Sequence, residues 1–151
     1  MRIVIQRVLS ADVTVDNVQI SSINYGYMLL VGFGTEDNES IAKQMADKVV
    51  NLRVCDDENK KMNLSIMDIK GEILSVSQFT LYADSRKGRR PSFTDACPPD
   101  KAVQLYHQFN DYLRESGLTV KEGIFQEDMK VGLVNDGPVT IILDSDVVLK
   151  K

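Results

Sequence analysis

A chain of 151 residues, 43% apolar and 26% charged, has the size and composition of one soluble domain over residues 1–151 with a core of its own. Its net charge of −4 excludes a protein that grips nucleic acid through a broad cationic surface. Cys55 and Cys97 stand far apart with no CxxC pair, which excludes a disulfide framework and a thiolate metal site, so both are expected as reduced thiols. The opening Met1 to Leu9 alternates polar and apolar residues, unlike a secretory leader, and no apolar run is long enough to span a membrane. A cytoplasmic location is the expectation. On that expectation the sequons at Asn38 and Asn63 are chance matches.

Ile3, Ile5, Arg7 and Leu9 alternate with Arg2, Val4, Gln6 and Val8, and Val13 and Val15 continue the period of two, so the chain opens with strands. Gly26 to Gly34 is a continuous apolar run between glycines, which predicts a strand buried on both faces. Gly32-Phe33-Gly34 lacks the third glycine of a dinucleotide fingerprint. From Asn38 a helical period takes over through Ile41, Met45, Val49 and Leu52, with Asn38 as cap and Glu39 in the first turn. Asp56 to Asn63 is polar and turn-rich, Glu72 to Gln78 alternates as a strand, and a loop runs from Ala83 to Pro99. Pro98-Pro99-Asp100 opens a second helix with Ala102, Leu105, Tyr106, Phe109, Tyr112 and Leu113 on its apolar face, and Gly117 ends it. Strands over Leu118 to Ile124, Lys130 to Val134 and Val139 to Leu143 complete the chain. Strands and helices do not alternate regularly. The fold class is therefore α+β: a curved antiparallel or mixed sheet, or partial β-barrel, with two main helices.

Few residues offer chemistry. The lone His107 lies mid-helix and reads as a surface histidine, which removes the usual base for a Ser-His or Cys-His mechanism and most transition-metal sites. No metal and no cofactor are expected. Ser77-Gln78-Phe79-Thr80-Leu81 is either the floor of a small-ligand site or a strand end whose hydroxyls bond nearby backbone. Asn135-Asp136-Gly137-Pro138-Val139-Thr140 reads by itself as a hairpin turn between two strands. Arg86, Lys87, Arg89 and Arg90 surround Gly88 in a segment without apolar period, as a solvated loop or a phosphate contact.

In order along the chain, Gln6-Arg7-Val8, Lys61-Met62-Asn63, Ser77 to Leu81, Arg90-Pro91-Ser92-Phe93, Asp128-Met129 and Asn135 to Thr140 resemble the motifs of the D-aminoacyl-tRNA deacylase family. Any one is weak, but the ordered set spans nearly the whole chain. The resemblance implies hydrolysis of the ester in D-aminoacyl-tRNA, and of glycyl-tRNA, by a homodimer. In that family a cis Gly137-Pro138 pair reaches into the partner's site and rejects L-residues with its backbone carbonyls. It also implies that Arg7 supports this loop, that Ser77, Gln78, Phe79 and Thr80 hold the 3′-terminal adenosine and the ester, and that Met62, Phe125 and Met129 belong to the substrate site. Thr80 is the family's suggested nucleophile, yet no His or Lys stands near it in sequence to act as base. The reading preferred for this chain uses backbone N–H groups of Phe79 and Thr80 as oxyanion donors, with the substrate ribose 2′-OH assisting water.

The chain departs from the family at Gln126-Glu127, where small residues such as Gly-Ala are expected, and at Cys55, which replaces an aromatic. Three other readings compete: a non-catalytic nucleic-acid-binding protein using the Arg86 to Arg90 loop, an editing domain for a mischarged L-amino acid, and a structural dimer module.

Overall fold

The computed structural model describes residues 1–150. Strand β1 (Arg2–Val15) is the spine of a six-stranded mixed sheet. It buries Ile3 and Ile5 on one face, and from Val8 onward it buries the other. A register shift between Val8 and Ser10 puts Ala11, Val13 and Val15 on the same side as Val8 despite their odd spacing, which is how a bulge re-aims a strand. Asp16 and Asn17, both at positive φ, then turn the chain into β2 (Val18–Ile23). Strand β3 (Gly26–Gly32) is buried on both faces, as its continuous apolar run requires.

Helix α1 (Glu39–Asn51) starts where Asn38 accepts a hydrogen bond from the Ile41 amide at 3.0 Å, and it buries Met45 and Val49. Two short strands, β4 (Cys55–Asp56) and β5 (Met62–Leu64), form a small hairpin within the polar segment that the sequence shows as turn-rich. Strand β6 (Glu72–Ser77) buries Ile73 to Val76 consecutively because it lies inside the sheet, parallel to β3. Helix α2 (Pro99–Glu115) has proline in its first turn, and Gly117 follows it at φ +87. Strands β7 (Thr119–Glu122) and β8 (Lys130–Asp144) and a single turn, α3 (Ser145–Val148), complete the chain.

One edge of β1 pairs with β3 and then β2, while the other pairs with β8 along nearly its whole length. The far side of the sheet curls back until the Ser21 hydroxyl of β2 donates to the Glu122 carbonyl of β7. The result is a barrel-like mixed sheet. Helices α1 and α2 cover Ile3, Ile5, Tyr27 and Leu29 on one face, and Val8, Val13, Met28 and Leu74 fill the interior. The α+β class and partial barrel expected from sequence are what the structure shows, with α3 as an unanticipated third helix.

Two expectations need correction. Asn135 to Thr140 is not a hairpin turn, since Asn135 pairs with Val8 and Thr140 with Gln6, so both flanks belong to β8 and follow the same neighbour. Five steps along β8 face two along β1, and the extra residues are thrown outward as a wide bulge. Ser77 to Leu81 is not all strand end. The strand stops at Ser77, and Phe79–Tyr82 form a 3₁₀ turn.

The chain start is tied into this frame. The buried Met1 ammonium donates to Asp37 Oδ1 and Ser145 Oγ, each at 2.7 Å, while Asp37 Oδ2 accepts from the Gly34 amide at 2.6 Å. Asp37→Asn leaves an oxygen for Gly34 but removes the charge opposite the ammonium. It is expected to lower stability by about 2 kcal/mol, the value of a hydrogen bond to a charged group, read as a shift in urea midpoint at constant slope.

Candidate active site

At the C-terminal end of β6 the chain leaves the sheet. The Gln78 amide donates to Val31 O of β3 at 2.8 Å, and the 3₁₀ turn then folds over Gly32. A Cβ at Gly32 would sit 2.8 Å from Gln78 O and 3.1 Å from Leu81 Cβ, so only glycine lets the turn pack this closely on β3. Beside the turn opens a cavity of about 670 Å³, within the range for a small-ligand site. Ser77, Gln78 and Phe79 line one side, Phe125 and Met129 another, and Phe93 and Cys97 the approach to α2. Phe79 is 57% exposed and meets Phe93 edge-on, with ring centroids 5.0 Å apart at 67°, so two aromatic rings stand at the cavity mouth.

The N–H groups of Phe79 and Thr80 open the 3₁₀ turn and donate to no protein acceptor among the described residues. The Thr80 hydroxyl accepts from the Gln78 side-chain amide and has no imidazole or amine beside it. His107 lies elsewhere, on the exposed side of α2, with Nδ1 3.3 Å from Glu122 Oε1. Burial pushes the Cys97 thiol up from its ordinary pKa, so this residue enters the cavity wall as a neutral thiol.

The remaining expected site residues form a second group. Arg7 is only 4% exposed and donates to Val54 O at 2.8 Å and Asp56 Oδ1 at 3.0 Å from one nitrogen, and to Asp136 O at 3.2 Å from Nε. Burial alone would lower its pKa, but the hydrogen bond to Asp56 and the surrounding negative charges outweigh that and raise it. Arg7 thus ties the β4–β5 hairpin, which carries the exposed Met62, to the bulge of β8. Tyr25 joins the same knot, its pKa pushed up to about 12 by burial and by the neighbouring Asp136 carboxylate. The bulge holds Gly137 at φ +122, the Gly137–Pro138 peptide is cis, and both residues are exposed. Across its base the Thr140 hydroxyl donates to Gln6 Oε1 at 2.5 Å.

Arg7, Met62, Gly137 and Pro138 therefore cluster, but none of them lines the cavity formed by Ser77, Gln78, Phe79, Phe125 and Met129. Sequence reasoning left out Phe93, Cys97 and Ala102 as cavity residues. Phe93 was signalled by the Arg90 to Phe93 motif, whereas Ala102 offered no signal beyond a helix face. Gln126 sits at φ +68, so its turn does favour glycine, and this chain fills it with glutamine. Cys55 is buried with its sulfur 3.4 Å from the Tyr27 hydroxyl.

The pattern of the D-Tyr-tRNA(Tyr) deacylase family matches residues 4–144. A protein of Exiguobacterium sp. named D-aminoacyl-tRNA deacylase is 55% identical over 146 residues, covering 97% of this chain and 99% of the relative. A Thermotoga petrophila protein of the same name is 54% identical over 145 residues, covering 96% and 97%. Among solved structures, a c-Myc DNA unwinding element binding protein superposes with TM-score 0.89 at 43% identity, covering 95% of this chain and 98% of that one. A probable eukaryotic D-amino acid tRNA deacylase shares the fold at TM-score 0.82 and 17% identity, covering 94% and 97%. With its family pattern matched from the first strand to the last and relatives more than half identical over nearly its full length, the chain belongs to the D-aminoacyl-tRNA deacylase family.

Proposed function

We propose that the chain hydrolyses the ester of D-aminoacyl-tRNA in the cytoplasm, as a homodimer in which Gly137 and Pro138 of one protomer complete the cavity of the other. One observation carries this reading: the motif residues divide into an open cavity and an exposed, Arg7-anchored loop that does not line it. Two such chains related by a twofold axis pair each loop with the opposite cavity. A partner surface is available. Among the described residues, strand β8 pairs only with β1, which leaves its other edge open, and it exposes Ile142 and Val134.

In the completed site the terminal adenosine rests between the Ser77 to Phe79 segment and the aromatic mouth. The ester carbonyl points at the free N–H groups of Phe79 and Thr80. Water attacks that carbonyl, the two N–H groups stabilise the oxyanion, and the tRNA 3′-oxygen leaves with a proton. The substrate 2′-OH orients the water. The Gly137–Pro138 backbone occupies the space that an L side chain would need, so D-esters fit, and glycyl-tRNA, having no side chain, is a second substrate. Without a base beside it, the Thr80 hydroxyl is dispensable. Thr80→Ala is expected to keep its single-turnover rate within about tenfold, and a loss beyond about a hundredfold, near 3 kcal/mol, would contradict backbone catalysis.

The test is hydrolysis of D-tyrosyl-tRNA and L-tyrosyl-tRNA side by side with EDTA present. Loss of the D-ester alone, unaffected by chelation, supports the reading. Equal loss of the L-ester would contradict the chiral wall. The structural likeness to a protein named for DNA binding favours one alternative, nucleic-acid binding without hydrolysis. Cleavage of neither ester would favour that alternative.

A further inference from the structure

Among the described residues, the segment between the 3₁₀ turn and the cavity wall is a closed hairpin. The Asp84 amide donates to Ser92 O at 2.7 Å and the Ser92 amide to Asp84 O at 2.9 Å. Every residue from Ser85 to Pro91 is exposed, and Gly88 at the tip has φ +72 with open space around it. Four cations stand on this hairpin in a chain whose net charge is −4. Arg86 is internally neutralised, with NH2 2.8 Å from Asp84 Oδ2 and Asp95 also acting on it. Lys87, Arg89 and Arg90 form no ion pair with any carboxylate among the described residues.

The hairpin leads directly into Phe93, one of the two rings at the cavity mouth. Chain reach limits its extent: Arg90 lies within about 10 Å of Phe93 and Lys87 within about 20 Å. A stacked strand carries a phosphate about every 3.4 Å along its axis, so these cations come within reach of several phosphates of a strand whose terminal nucleoside would sit in the cavity. Lysines and arginines on an open loop suit the backbone of a flexible strand, while the carboxylates elsewhere repel it.

We propose that Lys87, Arg89 and Arg90 bind the phosphates of the single-stranded RNA segment immediately before the terminal adenosine, and so supply the affinity that the acidic surface lacks. This rests on the cavity being the site for the tRNA 3′ end. Contacts of this kind position the substrate without reading its bases, so they fit a protein that accepts many tRNAs.

The test uses an uncharged acceptor-stem RNA minihelix with its single-stranded 3′ end, titrated against the full chain and the triple variant Lys87→Ala/Arg89→Ala/Arg90→Ala over a range of salt. The variant is expected to bind at least about tenfold more weakly at 0.15 M salt, with the log–log salt slope shallower by about 2, three single-strand contacts at about 0.7 each. A minihelix lacking the 3′ overhang should bind both proteins equally weakly. In parallel, hydrolysis of 3′-O-D-tyrosyl-adenosine, which has no phosphate, should proceed at the same rate in both proteins. Unchanged minihelix binding overturns the proposal, as does an equal loss of adenosine-ester hydrolysis, which would mean that the hairpin merely shapes the cavity. Should the unmodified chain cleave no ester yet bind the minihelix through these residues, the hydrolytic reading fails and the phosphate contact stands.

Discussion

Gly137→Ala should reduce hydrolysis of D-tyrosyl-tRNA by more than about a hundredfold, close to 3 kcal/mol of transition-state stabilisation, while leaving the chain folded. The reason is local. Gly137 holds φ +122, a region that L side chains rarely enter, and an added Cβ would lie 2.9 Å from Val139 Cγ2 and 3.2 Å from an Arg7 guanidinium nitrogen. Arg7 is held in β1 and Val139 packs against the core, so the loop must give way. The carbonyl positions assigned to chiral rejection are then lost. Gly137 is exposed at the tip of a bulge and supports no core packing, so the melting temperature should fall by only a few degrees. Single-turnover hydrolysis and a thermal melt on the same preparation check both parts. A variant that keeps its full D-ester rate would show that the loop takes no part in the site.

Arg7→Met should destabilise the chain by about 3 kcal/mol and also slow D-ester hydrolysis. The guanidinium is buried and serves two carbonyls, Val54 O and Asp136 O, along with the carboxylates of Asp56 and Asp136. Breaking a buried charge pair costs about 3–5 kcal/mol when the remaining charge is stranded. Here the carboxylates are 41% and 30% exposed and recover water, which puts the cost at the lower end. The two carbonyls then lose a shared donor, and the hairpin and bulge come apart as a unit. Arg7→Lys should recover little, because one ammonium cannot supply the fork that reaches both segments. Denaturant unfolding reads the stability change. Hydrolysis measured well below the midpoint separates loss of loop position from loss of folded protein.

What the sequence reveals of this fold is what local periodicity encodes. The i, i+4 spacing of Ile41, Met45 and Val49 and the cap at Asn38 describe α1 almost to the residue, and the apolar run from Gly26 to Gly34 overshoots β3 by two residues. Long-range pairing overrides the local signal in β8. Asn-Asp-Gly-Pro has the composition of a turn, yet both of its flanks pair with β1, and Val8 and Gln6 turn it into a bulge. Strand β6 lies where the Glu72 to Gln78 segment predicts it, but burial on both faces replaces the expected alternation with consecutive buried residues, because the strand has parallel neighbours on each side.

The site was legible only in pieces, for a related reason. Ser77 to Phe79 and Phe125 to Met129 meet because β6 and the segment before β8 converge on one cavity, and no spacing in the chain encodes that convergence. Arg7 gave no sign of its role by residue type, since a lone arginine in an alternating strand reads as a solvated position. Its burial follows from the phase it shares with Ile3 and Ile5, the strand changing face only at Val8.

The central claim, a cavity completed by the loop of a second chain, is tested most directly by mixing two inactive variants. One carries Gln78→Ala with Phe79→Ala and lacks a working cavity, and the other carries Gly137→Ala and lacks a working loop. After equimolar unfolding and refolding together, half of the dimers should pair one variant with the other, each with one intact composite site. D-tyrosyl-tRNA hydrolysis should then return to about a quarter of the unmodified rate, with the L-ester still untouched. If the mixture stays as inactive as its components, loop and cavity act within one chain or not at all, and the cross-subunit site is refuted.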